Sequence, residues 1–147
     1  MKSRLTLASL LLAALLASCG GGSGEGLDSN GRPLGEGTDP GGPLIATHAS
    51  IQAHVFTPKC TACHAGAAAP QGLRLDAANS YDMLVGVSAV EVSSLRRVLA
   101  GNPDQSYLIQ KLEGHAAVGA RMPLGGPYLD ADTVAKIRQW ISNGAPR

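Results

Sequence analysis

Hydrophobic positions in this chain fall into one nearly continuous N-terminal run and several amphipathic patches that become clearer toward the C-terminus. Leu5 to Leu16 is apolar except for Thr6 and Ser9, and Lys2 and Arg4 precede it as a positive flank. Such a run is short for a membrane span and suits a signal peptide over 1–18. Residues 20–43 are rich in Gly, Ser, Asp, Glu and Pro with no apolar period, so 19–43 reads as a flexible tether. Helical spacing begins after it. Residues 47–57 place Ile51, Val55 and Phe56 on one face, and Pro58 is expected to stop that helix. A short helix is expected over 77–84, with Tyr81, Leu84 and Val85 as its apolar side. A third is expected over 103–113, capped by Asn102, opened by Pro103 and ended by Gly114, with Tyr107, Leu108 and Leu112 on one side. The last is the best marked: Asp130 caps it, Val134, Ile137, Trp140 and Ile141 form its stripe, and Gly144 and Pro146 close it. Val85 to Val92 is β-branched enough to be locally extended, but one such stretch makes no sheet. The pattern therefore predicts an all-α domain over 44–147, with no internal repeat.

The end of the apolar run adds chemistry. Leu16-Ala17-Ser18-Cys19 resembles the lipobox of bacterial lipoproteins. That resemblance implies cleavage before Cys19, lipidation of Cys19 and anchoring to a membrane on the periplasmic side. Several acyl chains anchor stably where one would be marginal. Gly20 follows, with no aspartate there; by resemblance to Gram-negative sorting rules this favours the outer membrane over the inner.

Composition narrows the function classes. The chain has 147 residues, a net charge of +1 and 3% aromatic residues. Loss of Lys2 and Arg4 with the signal leaves the mature chain slightly acidic. No basic stripe with interleaved aromatics suggests nucleic-acid binding. Phe56, Tyr81, Tyr107, Tyr128 and Trp140 are few for the core of such a domain, and small domains often need a non-protein staple.

Cys60-Thr61-Ala62-Cys63-His64 reads C-x-x-C-H, the attachment signature for c-type haem. The two thiols add across the two vinyl groups of one porphyrin, and the histidine next to the second cysteine is placed to bind the iron. The chain's three cysteines are then all used: Cys19 for lipid, Cys60 and Cys63 for one haem c. Met122 is the candidate sixth ligand. It lies in Gly119-Ala120-Arg121-Met122-Pro123-Leu124-Gly125-Gly126, a stretch that Gly and Pro make a loop, and Pro123 restricts it to extended backbone. Met83, in a short helical stretch, is expected to pack. His48, His54 and His115 are the remaining imidazoles that could reach a metal. Arg74 and Arg121 could pair with haem propionates.

With these features in place, the chain over roughly 47–144 resembles class I cytochrome c domains. The resemblance rests on a helix before the C-x-x-C-H segment, Gly72-Leu73 after it, Met122-Pro123 in a loop, and a terminal helix holding Trp140-Ile141. It implies a cytochrome c-like fold around one covalent haem, with His64 and Met122 as axial ligands. It also implies crossing of the first and last helices, with Phe56 and Trp140 near one another. The order Pro70-Gln71-Gly72-Leu73 departs from the mitochondrial-like Gly-Pro-x-Leu element. The carbonyl that orients the proximal imidazole could then come from Pro70 or from another residue.

The functions this allows are three. A haem with two protein ligands carries single electrons, with a redox protein as partner and no substrate chemistry. A haem whose sixth ligand is labile could act as a peroxidase or gas sensor, for which His115 is the nearest polar candidate. A non-haem site on Cys60, Cys63 and His64 would lack the fourth ligand of structural zinc, and a thioredoxin-like dithiol would lack its βαβ setting.

Overall fold

The structure, a computed structural model, describes residues 42–147. The expected signal peptide, the lipidation site Cys19 and nearly all of the expected tether lie outside the described residues. No helix among the described residues is long and apolar enough to cross a membrane.

The architecture is all-α. Four α-helices occur among the described residues: α1 (His48–Ile51), α2 (Ser80–Leu84), α3 (Tyr107–Glu113) and α4 (Ala131–Ser142). Among the described residues, extended pairing is limited to isolated bridges, such as Val85 with Val98 and Ser88 with Arg96.

Thr47 starts α1 by accepting a hydrogen bond from the Ser50 backbone N–H at 3.2 Å, and the Ser50 hydroxyl accepts from Ile45 N at 3.0 Å. The first bond satisfies a donor that helix geometry would leave open, and the second ties the preceding segment to the first turn. Pro58 does not stop the helix. From Gln52 to Cys60 the backbone continues as a π-helix with Pro58 inside it, and Thr61 N donates to Phe56 O at 3.1 Å. The reason is steric. A proline ring collides with the carbonyl four residues back in an α-helix, and wider i→i+5 winding moves that carbonyl aside.

The remaining helices start where side chains close turns. Asn102 does not cap α3; its Oδ1 accepts from Gln105 N at 3.1 Å and closes a turn ahead of the helix. Ser106 takes the cap position instead. Its buried hydroxyl accepts from Leu99 N at 2.9 Å and donates to Asn102 O at 2.8 Å, so the chain bends there before winding. Gly114 ends α3 with φ 84°, the left-handed geometry that glycine adopts without a Cβ penalty. α2 likewise begins later than the pattern suggests, after a turn in which Ser80 N donates to Asp76 O at 2.9 Å.

α4 has the expected cap. Asp130 Oδ1 accepts from Thr133 N at 2.7 Å and Oδ2 from Thr133 Oγ1 at 2.9 Å, which holds the Asp130 carboxyl below its usual range. Val134, Ile137, Trp140 and Ile141 are all buried. They share one core with Ile51, Val55, Phe56, Leu84 and Ile109. Helices α1 and α4 are in contact. The His48 imidazole lies against Phe56 and Trp140, with ring centroids 6.4 and 5.6 Å away. Beyond α4 the chain folds back, with Tyr81 Oη donating to Ala145 O at 3.0 Å and Trp140 Nε1 to Pro146 O at 2.8 Å.

Candidate functional site

The π-helical stretch delivers Cys60 to the wall of an apolar cavity of about 460 Å3. That volume falls within the range of roughly 300–1,000 Å3 typical of small-molecule and cofactor sites. Cys60, Cys63, His64 and Met122 all line it. They reach it from two separate parts of the chain, the end of the first helix and the loop between α3 and α4. Apolar side chains such as Phe56, Leu75, Leu84 and Leu112 form much of the remaining surface. Val90 and Leu124 also line it, and are 62% and 72% exposed. The cavity therefore opens to solvent between apolar residues.

The chain turns sharply after Cys60. Cys63 N and His64 N both donate to Cys60 O, at 3.2 and 2.8 Å. The loop that follows returns to its start: Leu75 N donates to His64 O at 2.7 Å. His64 Nδ1 lies 3.0 Å from Leu73 O. A carbonyl only accepts, so Nδ1 carries the proton and Nε2 is left with a free lone pair, as a metal-binding imidazole requires. The orienting carbonyl is that of Leu73; Pro70, the other candidate, is not the partner. Pro70 instead opens a short 3₁₀ turn, Pro70–Gly72, that carries the loop back.

Cys60 and Cys63 are both free thiols. Burial pushes the Cys60 thiol up to about 11, with Lys59 pulling weakly the other way. Burial therefore disfavours the thiolate form of Cys60. Among the described residues no group of three or more His, Cys, Asp and Glu is arranged to hold a metal ion. Cys60, Cys63 and His64 thus do not form a ready tetrahedral zinc site. One imidazole and one thioether, by contrast, suffice where a porphyrin supplies the other ligands.

The other candidates lie elsewhere. Met83 Sδ accepts from Arg74 N at 3.3 Å, outside the cavity. His48 is buried in the core, where its Nε2 meets Ser80 Oγ at 3.0 Å. His54 Nε2 is buried without a hydrogen-bond partner, away from the cavity lining. His115 is exposed and lies 3.6 Å from Glu113. Arg121 donates through Nε to Leu112 O at 2.8 Å, and its guanidinium stacks 4.1 Å from the Tyr128 ring centroid.

The arginine on the cavity wall is Arg97, which the sequence pattern did not single out. It is buried and, among the described residues, has no carboxylate partner. Its Nη1 donates to Met83 O at 2.9 Å and its Nη2 to Gln71 O at 2.7 Å, and burial lowers its pKa. Gln71 has φ 57°, uncommon for a residue with a side chain, and the Arg97 bond helps hold it there. Three donors of the guanidinium remain for an anionic group in the cavity.

A second polar group was also missed. Tyr107, Glu91 and Lys111 all line the cavity. Lys111 Nζ pairs with Glu91 Oε2 at 3.0 Å, and Tyr107 Oη lies 3.2 Å from the same oxygen. Burial, and then the adjacent Glu91 carboxylate, raise the Tyr107 pKa. Lys111 could have been suspected, because it falls between Leu108 and Leu112 on the inward side of α3.

Comparison of the chain with known protein families, with curated proteins and with solved structures gives no match.

Proposed function

We propose that this chain is a monohaem c-type cytochrome with a cytochrome c-like fold, carrying single electrons and tethered by lipid at Cys19 on the periplasmic side, in the outer membrane rather than the inner. The carrying observation is the meeting, in one apolar cavity, of both C-x-x-C thiols, an imidazole whose Nε2 is bare, and a thioether. Cys60 and Cys63 would hold the haem covalently, and His64 Nε2 and Met122 Sδ would fill the axial positions. When bound, the haem supplies a one-electron iron couple, which thioether ligation and burial raise in potential. The chain's own residues do the rest. Leu73 O fixes the His64 tautomer and ring orientation. Phe56, Leu75, Leu84 and Leu112 exclude water. Arg97 offers donors to a propionate. The partner is another redox protein, met at the open side near Val90 and Leu124.

A haem site that binds peroxide or a diatomic gas is the competing reading. The observation favouring it is the polar group Tyr107, Glu91 and Lys111 on the cavity wall, since the expected polar residue His115 lies outside.

Absorption spectra of the exported protein, oxidised and reduced, separate the two. Methionine ligation gives a weak ferric band at the red edge of the visible spectrum. Met122→Ala is expected to abolish it, lower the potential and admit carbon monoxide to the reduced iron, whereas Met83→Ala does none of these. An unchanged spectrum and potential in Met122→Ala would overturn Met122 as the ligand, leave a histidine or water in its place, and favour the second reading over simple electron transfer.

A further inference from the structure

We infer that Tyr107 and Lys111 are positioning residues for Met122, acting as a latch on the backbone of the loop that carries it. This rests on Met122 being the axial ligand proposed above.

The loop leaves α3 at Gly114 and comes back along the same helix. Its returning end is fastened by backbone: Met122 N donates to Lys111 O at 2.9 Å. Its outer part is fastened by side chains. Val118 O accepts from Tyr107 Oη at 2.6 Å and from Lys111 Nζ at 3.4 Å. Glu91, from the segment before α3, accepts from Lys111 Nζ at 3.0 Å and steers that ammonium group toward the loop. Apolar burial does not perform this task, because the Val118 side chain is 46% exposed and Ala117, Gly119 and Ala120 are exposed too.

Gly119 marks how closely the loop lies on the latch. It has φ 75°, and a Cβ there would meet Lys111 Nζ, and Glu91 Oε1 at 2.5 Å. A side chain at 119 displaces the flexible ends of Lys111 and Glu91 and strains a backbone held at φ 75°, so it breaks the ion pair's hold on the loop. The contacts are largely removed from water, where hydrogen bonds and charge pairs hold more strongly than on an open surface. Opening of the latch frees the loop to carry Met122 away from the cavity, so the latch sets how often the sixth position stands open.

The test uses the full-length haem-loaded protein, with carbon monoxide as the probe of the reduced iron. Tyr107→Phe removes only the hydroxyl, and Gly119→Ala strains the loop backbone and displaces the Lys111 and Glu91 side-chain ends that hold it. Each is expected to raise the carbon monoxide association rate roughly five- to tenfold, the shift that loss of one such bond gives. Each should also weaken the methionine-dependent ferric band and lower the potential, with helical circular dichroism unchanged. Arg96→Ala, an exposed arginine bonded to Ser88 Oγ, should match wild type in all three readouts. In a Met122→Ala background, Tyr107→Phe should add nothing.

Wild-type rates and potential in both Tyr107→Phe and Gly119→Ala overturn the latch. An equal effect of Tyr107→Phe with and without Met122 also overturns it, since the hydroxyl would then act on the cavity directly. If Met122→Ala itself changes nothing, the assignment of Met122 as ligand falls and the latch falls with it. If Met122→Ala behaves as expected and the latch variants do not, only the latch is lost.

Discussion

His64 and Leu73 are joined by a 3.0 Å hydrogen bond between the ring Nδ1 and the backbone carbonyl. That bond is one end of a longer connection into the core. Leu75 N donates to His64 O at 2.7 Å, Leu75 O accepts from Gln52 Nε2 at 2.8 Å, and Gln52 Oε1 accepts from Ser80 Oγ at 2.5 Å. Ser80 has one hydroxyl proton and gives it to Gln52, so the His48 Nε2 contact at 3.0 Å is a donation from the ring. The candidate proximal ligand is thereby held through α2 and the first helix, not by its own loop alone.

Covalent attachment is the first expectation. Wild-type protein co-expressed with a haem-attachment system should keep its haem through a denaturing gel. Cys60→Ala combined with Cys63→Ala should lose that signal. Wild-type protein without covalent haem under the same conditions would falsify the cofactor assignment.

Trp140 is fully buried and ties the C-terminal tail through Pro146 O. Trp140→Ala leaves a large void between α1 and α4, and such truncations cost about 3–5 kcal/mol. The urea midpoint of the holoprotein should fall accordingly. A change below about 1 kcal/mol would mean that the helices close over the gap.

His48 should make stability depend on pH. Burial, and then the Arg147 guanidinium, hold its pKa below 6.5, while Asp82 pulls the other way. The unfolded chain accepts a proton that the folded one resists. Its contribution is therefore complete above about pH 6.5 and is lost as the pH falls from there toward the lower folded value. Thermal midpoints measured across that window should decline more steeply for wild type than for His48→Gln. Parallel curves would assign the slope to other groups.

The anchor is tested apart from the folded domain. Labelled fatty acid should enter wild type and not Cys19→Ser, and the variant should be released as soluble protein or remain unprocessed. Equal labelling of the two would remove the lipoprotein assignment.

Elements whose information is local could be read from the sequence. In α4 the cap, the apolar stripe and the terminating glycine all occur within one stretch, and the helix spans Ala131–Ser142. The start of α3 could not be read, because Ser106 is fixed by Leu99 and Asn102 on a turn that only tertiary packing closes. Pro58 misleads because the rule that it ends a helix concerns α winding, and the backbone changes winding around it. In the site, C-x-x-C-H and the Met122 loop carry recognisable spacing. The inward turn of Arg97 depends on carbonyls of Gln71 and Met83, distant in sequence, and Arg96 beside it points to the exposed Ser88 contact instead. Nothing in the Arg96-Arg97 doublet itself says which of the two turns inward.

The π-helical winding over Gln52–Cys60 makes chain length itself part of the site. Each α-helical residue advances the side-chain direction by about 100°. Removing one residue, Ala53 for example, leaves Pro58 and the wide winding around it in place, but turns the end of the segment relative to its start and so changes the bearing on which Cys60 leaves the helix. The letters C-x-x-C-H would be untouched, yet their first thiol would no longer face the cavity. A shortened variant of this kind would retain the signature and lose its aim. Angular phase along the first helix, and not the pentapeptide alone, decides where the thiols point.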